Sequence, residues 1–203
     1  PSHIRKVRHL PAMFYADVPG FMRALEVDPE PPALALRLLI LTATRMKASR
    51  MHRVPLSDGA IALLRPVLRA GSAGLVFQRR RGQPLPSTAM LEVLKRHGHG
   101  GLTVHGFRST FKDWARETTD HAREISEAAL AHAIGDSTEA AYARGDLFAK
   151  RAALMQDWAD HVAGGALRTT QHAANDATAA TCDEACLAQK MKKAGRRARF
   201  PVH

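Results

Sequence analysis

Acidic residues are in short supply: nineteen Asp and Glu stand against thirty Lys and Arg, leaving a net charge of +11 over 203 residues. With an isoelectric point near 10.5, that surplus points to nucleic acid or another polyanion as partner. An anionic membrane surface would suit the charge too, but long apolar runs are also missing. The longest, 33–42, is interrupted by Arg37 and reads as a buried helix, so no membrane span is expected. The first residues, P-S-H-I-R-K-V-R-H, lack the apolar core of a signal peptide, which makes the cytoplasm the expected compartment. There are two cysteines, Cys182 and Cys186, and a zinc site would need two more ligands beside them, so reduced, inert thiols are expected. A metal motif, a phosphate-cradling nucleotide loop and an internal repeat are all absent.

What is present suits one core. The chain is 45% hydrophobic, enough for a single domain with extra segments at its ends. Residues 1–30 read as a basic linker and a leading helix, in which Asp17 caps a helix with Pro19 in its first turn. Pro29, Pro31 and Pro32 are expected to break the chain before a core helix from Ala33 to about Thr44. A basic stretch, Arg45 to Arg53, is followed by H-R-V-P-L (52–56), a short strand whose Pro55 suits an edge. Ser57 caps a helix through Ile61, Leu64 and Leu68. L-V-F (75–77) reads as a buried strand and Arg79–Arg81 as a turn closed by Gly82. Ser87 caps the next helix, through Met90, Leu91 and Leu94.

Further on, Phe111, Trp114 and Ala115 form an apolar helical stripe, and another helix carries Ile125, Ala128, Ala129 and His132. A turn at 135–137, a short helix bearing Tyr142 and a last helix with Leu154, Met155 and Trp158 complete a domain over 31–163. From 164 the sequence loses its period and ends in six basic residues between Lys190 and Arg199, the pattern of a disordered basic tail. The fold class is mainly α with a small β-sheet, α+β.

Three polar clusters interrupt this Ala- and Leu-rich helical sequence: T-V-H-G-F-R-S-T-F-K-D-W, A-L-A-H-A-I-G-D and A-A-Y-A-R-G-D-L-F. His105 and Arg108 share a face in the first turn of a helix, where free N–H groups already favour a phosphate. Taken singly, each group has an ordinary explanation. His105 would be a capping-region histidine, Arg108 a surface arginine, His132 a satisfied core histidine and Tyr142 a packing residue. Together, imidazole, guanidinium and phenol suit a phenol that attacks a phosphodiester while cations hold its oxygens.

The wording of these clusters resembles the C-terminal active-site boxes of tyrosine recombinases of the phage-integrase type, over roughly residues 12–163. The resemblance implies a metal-free and cofactor-free site on double-stranded DNA, self-association on that DNA, no small-molecule substrate and a prokaryotic, nucleoid-associated setting. It also implies roles. Arg108 and a partner arginine clamp the phosphate, His105 and His132 hydrogen-bond it and assist proton transfer, and Tyr142 is the nucleophile that leaves a 3′-phosphotyrosine. L-I-L-T-A-T-R matches the helix end that carries the first arginine, Arg45, and R-M-K-A-S-R-M-H-R-V-P-L matches the hairpin whose lysine, here Lys47, protonates the leaving oxygen.

In one place the sequence departs from the family. Members place a helix turn, a Trp-containing strand and the first hairpin arm between those two motifs, whereas here the motifs meet at Arg45. Arg45 must then serve as first arginine and hairpin start at once. The core-binding and arm-binding domains usual in such integrases are also not in this sequence, so a truncated, internally deleted integrase is expected. The reading divides into a recombinase and, as alternative, a catalytically impaired DNA-binding remnant. A type IB topoisomerase shares the chemistry but not the L-A-H-A-I-G and Y-A-R-G-D wording.

Overall fold

The core is built around one nearly all-apolar helix. In the computed structural model, which describes residues 11–46, 52–69, 75–80, 82–132 and 147–165, this helix is α2, Pro31–Thr42. Pro31 and Pro32 do not break the chain as expected but open α2, since their fixed φ and missing N–H suit a first turn. Ala33, Leu36, Leu39, Ile40 and Leu41 are buried, and Arg37 reaches outward to Glu26 at 3.1 Å.

The described helices pack around it: α1 (Val18–Glu26), α3 (Asp58–Arg69), α4 (Ala89–Arg96), α5 (Gly106–Thr118), α6 (Arg123–Ala129) and α7 (Phe148–Val162). Direct neighbours of α2 are α1, α3, α4 and α7, while α5 and α6 pack on each other and on α7. Aromatic rings fill the space between α5 and α7. The Trp114 and Trp158 ring centres lie 4.9 Å apart, and Trp158 Nε1 donates to the Ile40 carbonyl at 2.8 Å. Full burial of such rings removes large apolar area from water, the main stabilising term here.

The class read from sequence, mainly α with a small sheet, is the observed one. Several details differ. Asp17 makes no side-chain cap, because its backbone is already helical after a single 3-10 turn over Tyr15–Asp17. Thr88, not Ser87, precedes α4, and its hydroxyl donates to Glu92 rather than capping an N–H. Residues 52–56 form no strand. A ladder needs a partner, and here the Arg53 carbonyl accepts from Arg151 Nη2 at 2.9 Å while His52 Nε2 sits 3.2 Å from the Ala129 carbonyl. L-V-F is not the buried strand either, as Val76 is exposed. The ladder starts one residue later, where β1 (Gln78–Arg80) pairs antiparallel with β2 (Gln83–Pro84). Arg79 and Arg80 are therefore strand residues, and the turn rests on Gly82 at φ 81°. Ser57 does cap α3 through the Ala60 N–H, at 3.4 Å.

Candidate functional site

Helix α5 begins where the H-G-F-R motif places it, with His105 at the N-cap and Gly106 as first residue. The Gly106 N–H is held by the Thr103 hydroxyl at 3.0 Å. A side chain at Gly106 would collide with the Pro11 carbonyl oxygen, so glycine is required by the close crossing of residues 11–13 over this turn. That crossing is fixed by Thr103, whose N–H donates to Pro11 at 3.2 Å, and by Thr110, whose hydroxyl donates to the Met13 carbonyl at 2.7 Å.

Arg108, one turn in, is only 4% exposed. Its guanidinium joins two helix ends, with Nη1 donating to the Ala43 carbonyl at 2.6 Å and Nη2 to the Leu130 carbonyl. Ala43 is the left-handed C-cap of α2 and Leu130 the C-cap of α6, so one cation answers the negative ends of two helix dipoles. Burial, with the Arg45 charge adding to it, pushes the Arg108 guanidinium down to about 10, still a cation at neutral pH. Its Nε–H has no hydrogen-bond partner among the described residues.

His132 was expected on the helix, yet it lies just past it. Helix α6 ends in a turn in which Ala131 takes the left-handed conformation at φ 49°. The His132 N–H then returns to the Glu127 carbonyl at 3.0 Å and the Ala131 N–H to Ala128 at 3.1 Å, a Schellman closure with alanine in the place glycine usually holds. The turn aims the ring back at α5, where His132 Nε2 lies 3.2 Å from Arg108 Nη2. On the other side of the ring, Nδ1 is 2.6 Å from Glu127 Oε2. Glu127 in turn meets Lys112 Nζ of α5 at 2.7 Å. Burial alone would raise the Glu127 carboxyl, but Lys112 and His132 outweigh it and hold it below its usual range.

Arg45 is exposed, two residues beyond Ala43. Together with Leu39, Thr44, Met46, Val104 and His105 it lines a cavity of about 330 Å³. His105 is held below its ordinary value by partial burial and then by the charges of Arg108, Arg45 and His132. Arg45, His105, Arg108 and His132 thus form one basic cluster at the meeting of the α2 end, the α5 start and the α6 end. Lys47 and Tyr142 lie outside the described residues.

Two residues here escaped the sequence reading. Glu127 looks like any surface acid in an Ala-rich helix, and its only signal is its place one turn before L-A-H. Arg151, on the last helix, is 2% exposed and reaches the Ala128 and Arg53 carbonyls. With His52 and Arg108 it surrounds the carbonyl end of α6 that delivers His132. Among the described residues no cluster of His, Cys, Asp and Glu could hold a metal ion, and no helix is long and apolar enough to cross a membrane.

Comparison with known proteins gives a consistent picture. The chain is 40% identical over 128 residues to prophage integrase IntA of Escherichia coli K12, covering 60% of this chain and 30% of that protein. It is 32% identical over 176 residues to prophage integrase IntZ of the same organism, covering 72% and 44%. To the integrase of Shigella phage Sf6 it is 36% identical over 129 residues, covering 61% and 33%. The chain therefore spans less than half the length of the curated relatives it matches. No protein-family model and no solved structure matches it.

Proposed function

Because this chain belongs to the phage-integrase family of tyrosine recombinases, we propose that it cleaves and rejoins strands of duplex DNA in site-specific integration. The observation that carries the proposal is the convergence of Arg45, His105, Arg108 and His132 from three separate helix ends, with Arg45 and His105 lining one cavity and Arg108 meeting His132 at 3.2 Å. Four basic side chains, of which only His132 meets a carboxylate among the described residues (Glu127), suit an anion with several oxygens. A scissile phosphate is such an anion.

In this reading the Tyr142 phenol attacks the phosphorus and the 5′-oxygen leaves. The new bond is a 3′-phosphotyrosine, and the departing oxygen takes its proton from Lys47. The phosphodiester energy is kept in the covalent intermediate, so reversal by a second 5′-hydroxyl completes strand exchange. Arg45 and Arg108 offset the charge that grows on the non-bridging oxygens, with planar donors matched to two oxygens at once. His105 hydrogen-bonds the same phosphate, His132 holds the Arg108 guanidinium through Nε2, and both assist proton transfer.

Arg45 supports this reading over that of an impaired remnant. Despite the fused motifs, it lines the same cavity as His105, and its charge acts on Arg108. Both observations support Arg45 in the role of first arginine. Self-association on DNA belongs to the same proposal, since exchange needs more than one cut strand. Trapping of a covalent protein–DNA adduct, lost in Tyr142→Phe, is the test.

A further inference from the structure

Resting on the recombinase reading, we propose that Glu127 is a positioning residue that sets which nitrogen of His132 faces Arg108, the proposed phosphate clamp. Three contacts form a line from α5 through α6 and back: Lys112 Nζ to Glu127 Oε1 at 2.7 Å, Glu127 Oε2 to His132 Nδ1 at 2.6 Å, and His132 Nε2 to Arg108 Nη2 at 3.2 Å. An ionised carboxylate only accepts, so the proton on the imidazole must sit on Nδ1. Nε2 of the neutral ring is then an acceptor, the only state compatible with a guanidinium N–H in front of it. In the other tautomer, Nε2–H would face the Arg108 N–H while Nδ1 faced the carboxylate, and both contacts would turn repulsive.

Glu127 holds His132 in a second way. Its backbone carbonyl takes the His132 N–H at 3.0 Å, so the residue that orients the ring also anchors the turn that presents it. Lys112 keeps the carboxylate ionised and turned toward α5, and Arg123 lies further off, at 3.9 Å. The charged and titratable groups facing the pair are thus Lys112 and Arg108 of α5, Arg123 of α6 itself, and His105 at the α5 N-cap. The arrangement follows the logic by which a buried carboxylate fixes the tautomer of a catalytic histidine in hydrolases.

The test compares Glu127→Gln with Glu127→Leu in the full chain. Gln keeps an acceptor for Nδ1–H, whereas Leu keeps similar volume and removes it. The first readout is the ¹⁵N spectrum of the His132 ring, which needs no activity. Wild type and Glu127→Gln are expected to show Nδ1 protonated and Nε2 bare, and Glu127→Leu a shift to the Nε2–H tautomer. The second readout is the rate of Tyr142 adduct formation, expected within a few-fold of wild type for Gln and lower by about 10- to 100-fold for Leu, the range found when a partner that orients a metal-ligating histidine is removed. A wild-type ring protonated on Nε2 overturns the proposal, as does a Leu variant with unchanged tautomer and rate. Should Glu127→Leu not fold, the wild-type tautomer alone decides. Absence of adduct from wild type would count against the recombinase reading while leaving the tautomer test intact.

Discussion

Arg108 donates to the carbonyl of Ala43 at 2.6 Å, and this bond joins the helix that bears the H-G-F-R motif to the helix end that bears Arg45. The same guanidinium is thus asked to hold the fold and, in the proposed reaction, to hold the phosphate. With Nη1 engaged by Ala43 and Nη2 by Leu130 and His132, the unpartnered Nε–H and one Nη1 hydrogen are the donors left for an anion.

Arginine replacement should separate these roles. Arg108→Ala leaves two buried carbonyls without a donor, each worth roughly 1–3 kcal/mol, so urea unfolding should report a loss of about 2–5 kcal/mol. Arg45→Ala, at an exposed position, should change stability by less than about 0.5 kcal/mol yet slow adduct formation by about 100- to 1,000-fold. Equal stability losses in the two variants would show that Arg108 is not the strut described.

Gly106→Ala tests the crossing of residues 11–13 over α5. The added methyl meets the Pro11 carbonyl and the Ala12 Cα at 3.0 Å, and backbone on both sides leaves little to yield. A loss of about 1–3 kcal/mol is expected, the usual cost of overpacking. A variant as stable as wild type would mean that residues 11–13 do not rest on α5.

Acid should destabilise the fold in two steps of the same sign. His105 is depressed below its ordinary 6.5 by burial first and neighbouring cations second, so below 6.5 the unfolded chain binds more protons and stability falls with pH. Glu127 and Asp28 are depressed below 4.5 and 3.8, burial being outweighed at Asp28 by the Glu30 N–H, His97 and Arg96. Their contribution is present above those values and lost beneath them. The melting temperature should therefore drop continuously on acidification, and Glu127→Gln should flatten the lower part. A melting temperature that rises on acidification would contradict this.

How much of this could be read from residues alone depends on how local the cause is. The α5 start, the apolar α2 and the Trp114 stripe follow from spacing within one helix, and all were legible. The strand expected at 52–56 was not realised, because pairing depends on a distant partner and side chains of α7 and the α6 end took its place. The left-handed turns at Ala43 and Ala131, which aim Arg45 and His132, carry no glycine to announce them. Glu127 gained its meaning only when Lys112 and His132 arrived on either side of it.

Duplex binding should weaken steeply with salt. Neutralising phosphates releases condensed counterions, so affinity should fall as a power of salt concentration, with weak preference for sequence. Exposed Arg79 and Arg80 on β1 are candidates for these contacts, and replacing both with Gln should reduce the salt slope by about 2. A salt-independent affinity would argue against phosphate contact.

The central claim is that two arginines and two histidines gathered at three helix ends serve a phosphate attacked by Tyr142. Its most direct test uses a pool of nicked duplexes of randomised sequence, in which cleavage next to the nick releases a short fragment and prevents religation. The chain should become covalently joined to DNA through Tyr142 without added metal or ATP, and Tyr142→Phe should abolish the adduct while leaving duplex affinity unchanged. Binding without any adduct, or an adduct that survives Tyr142→Phe, would contradict the claim.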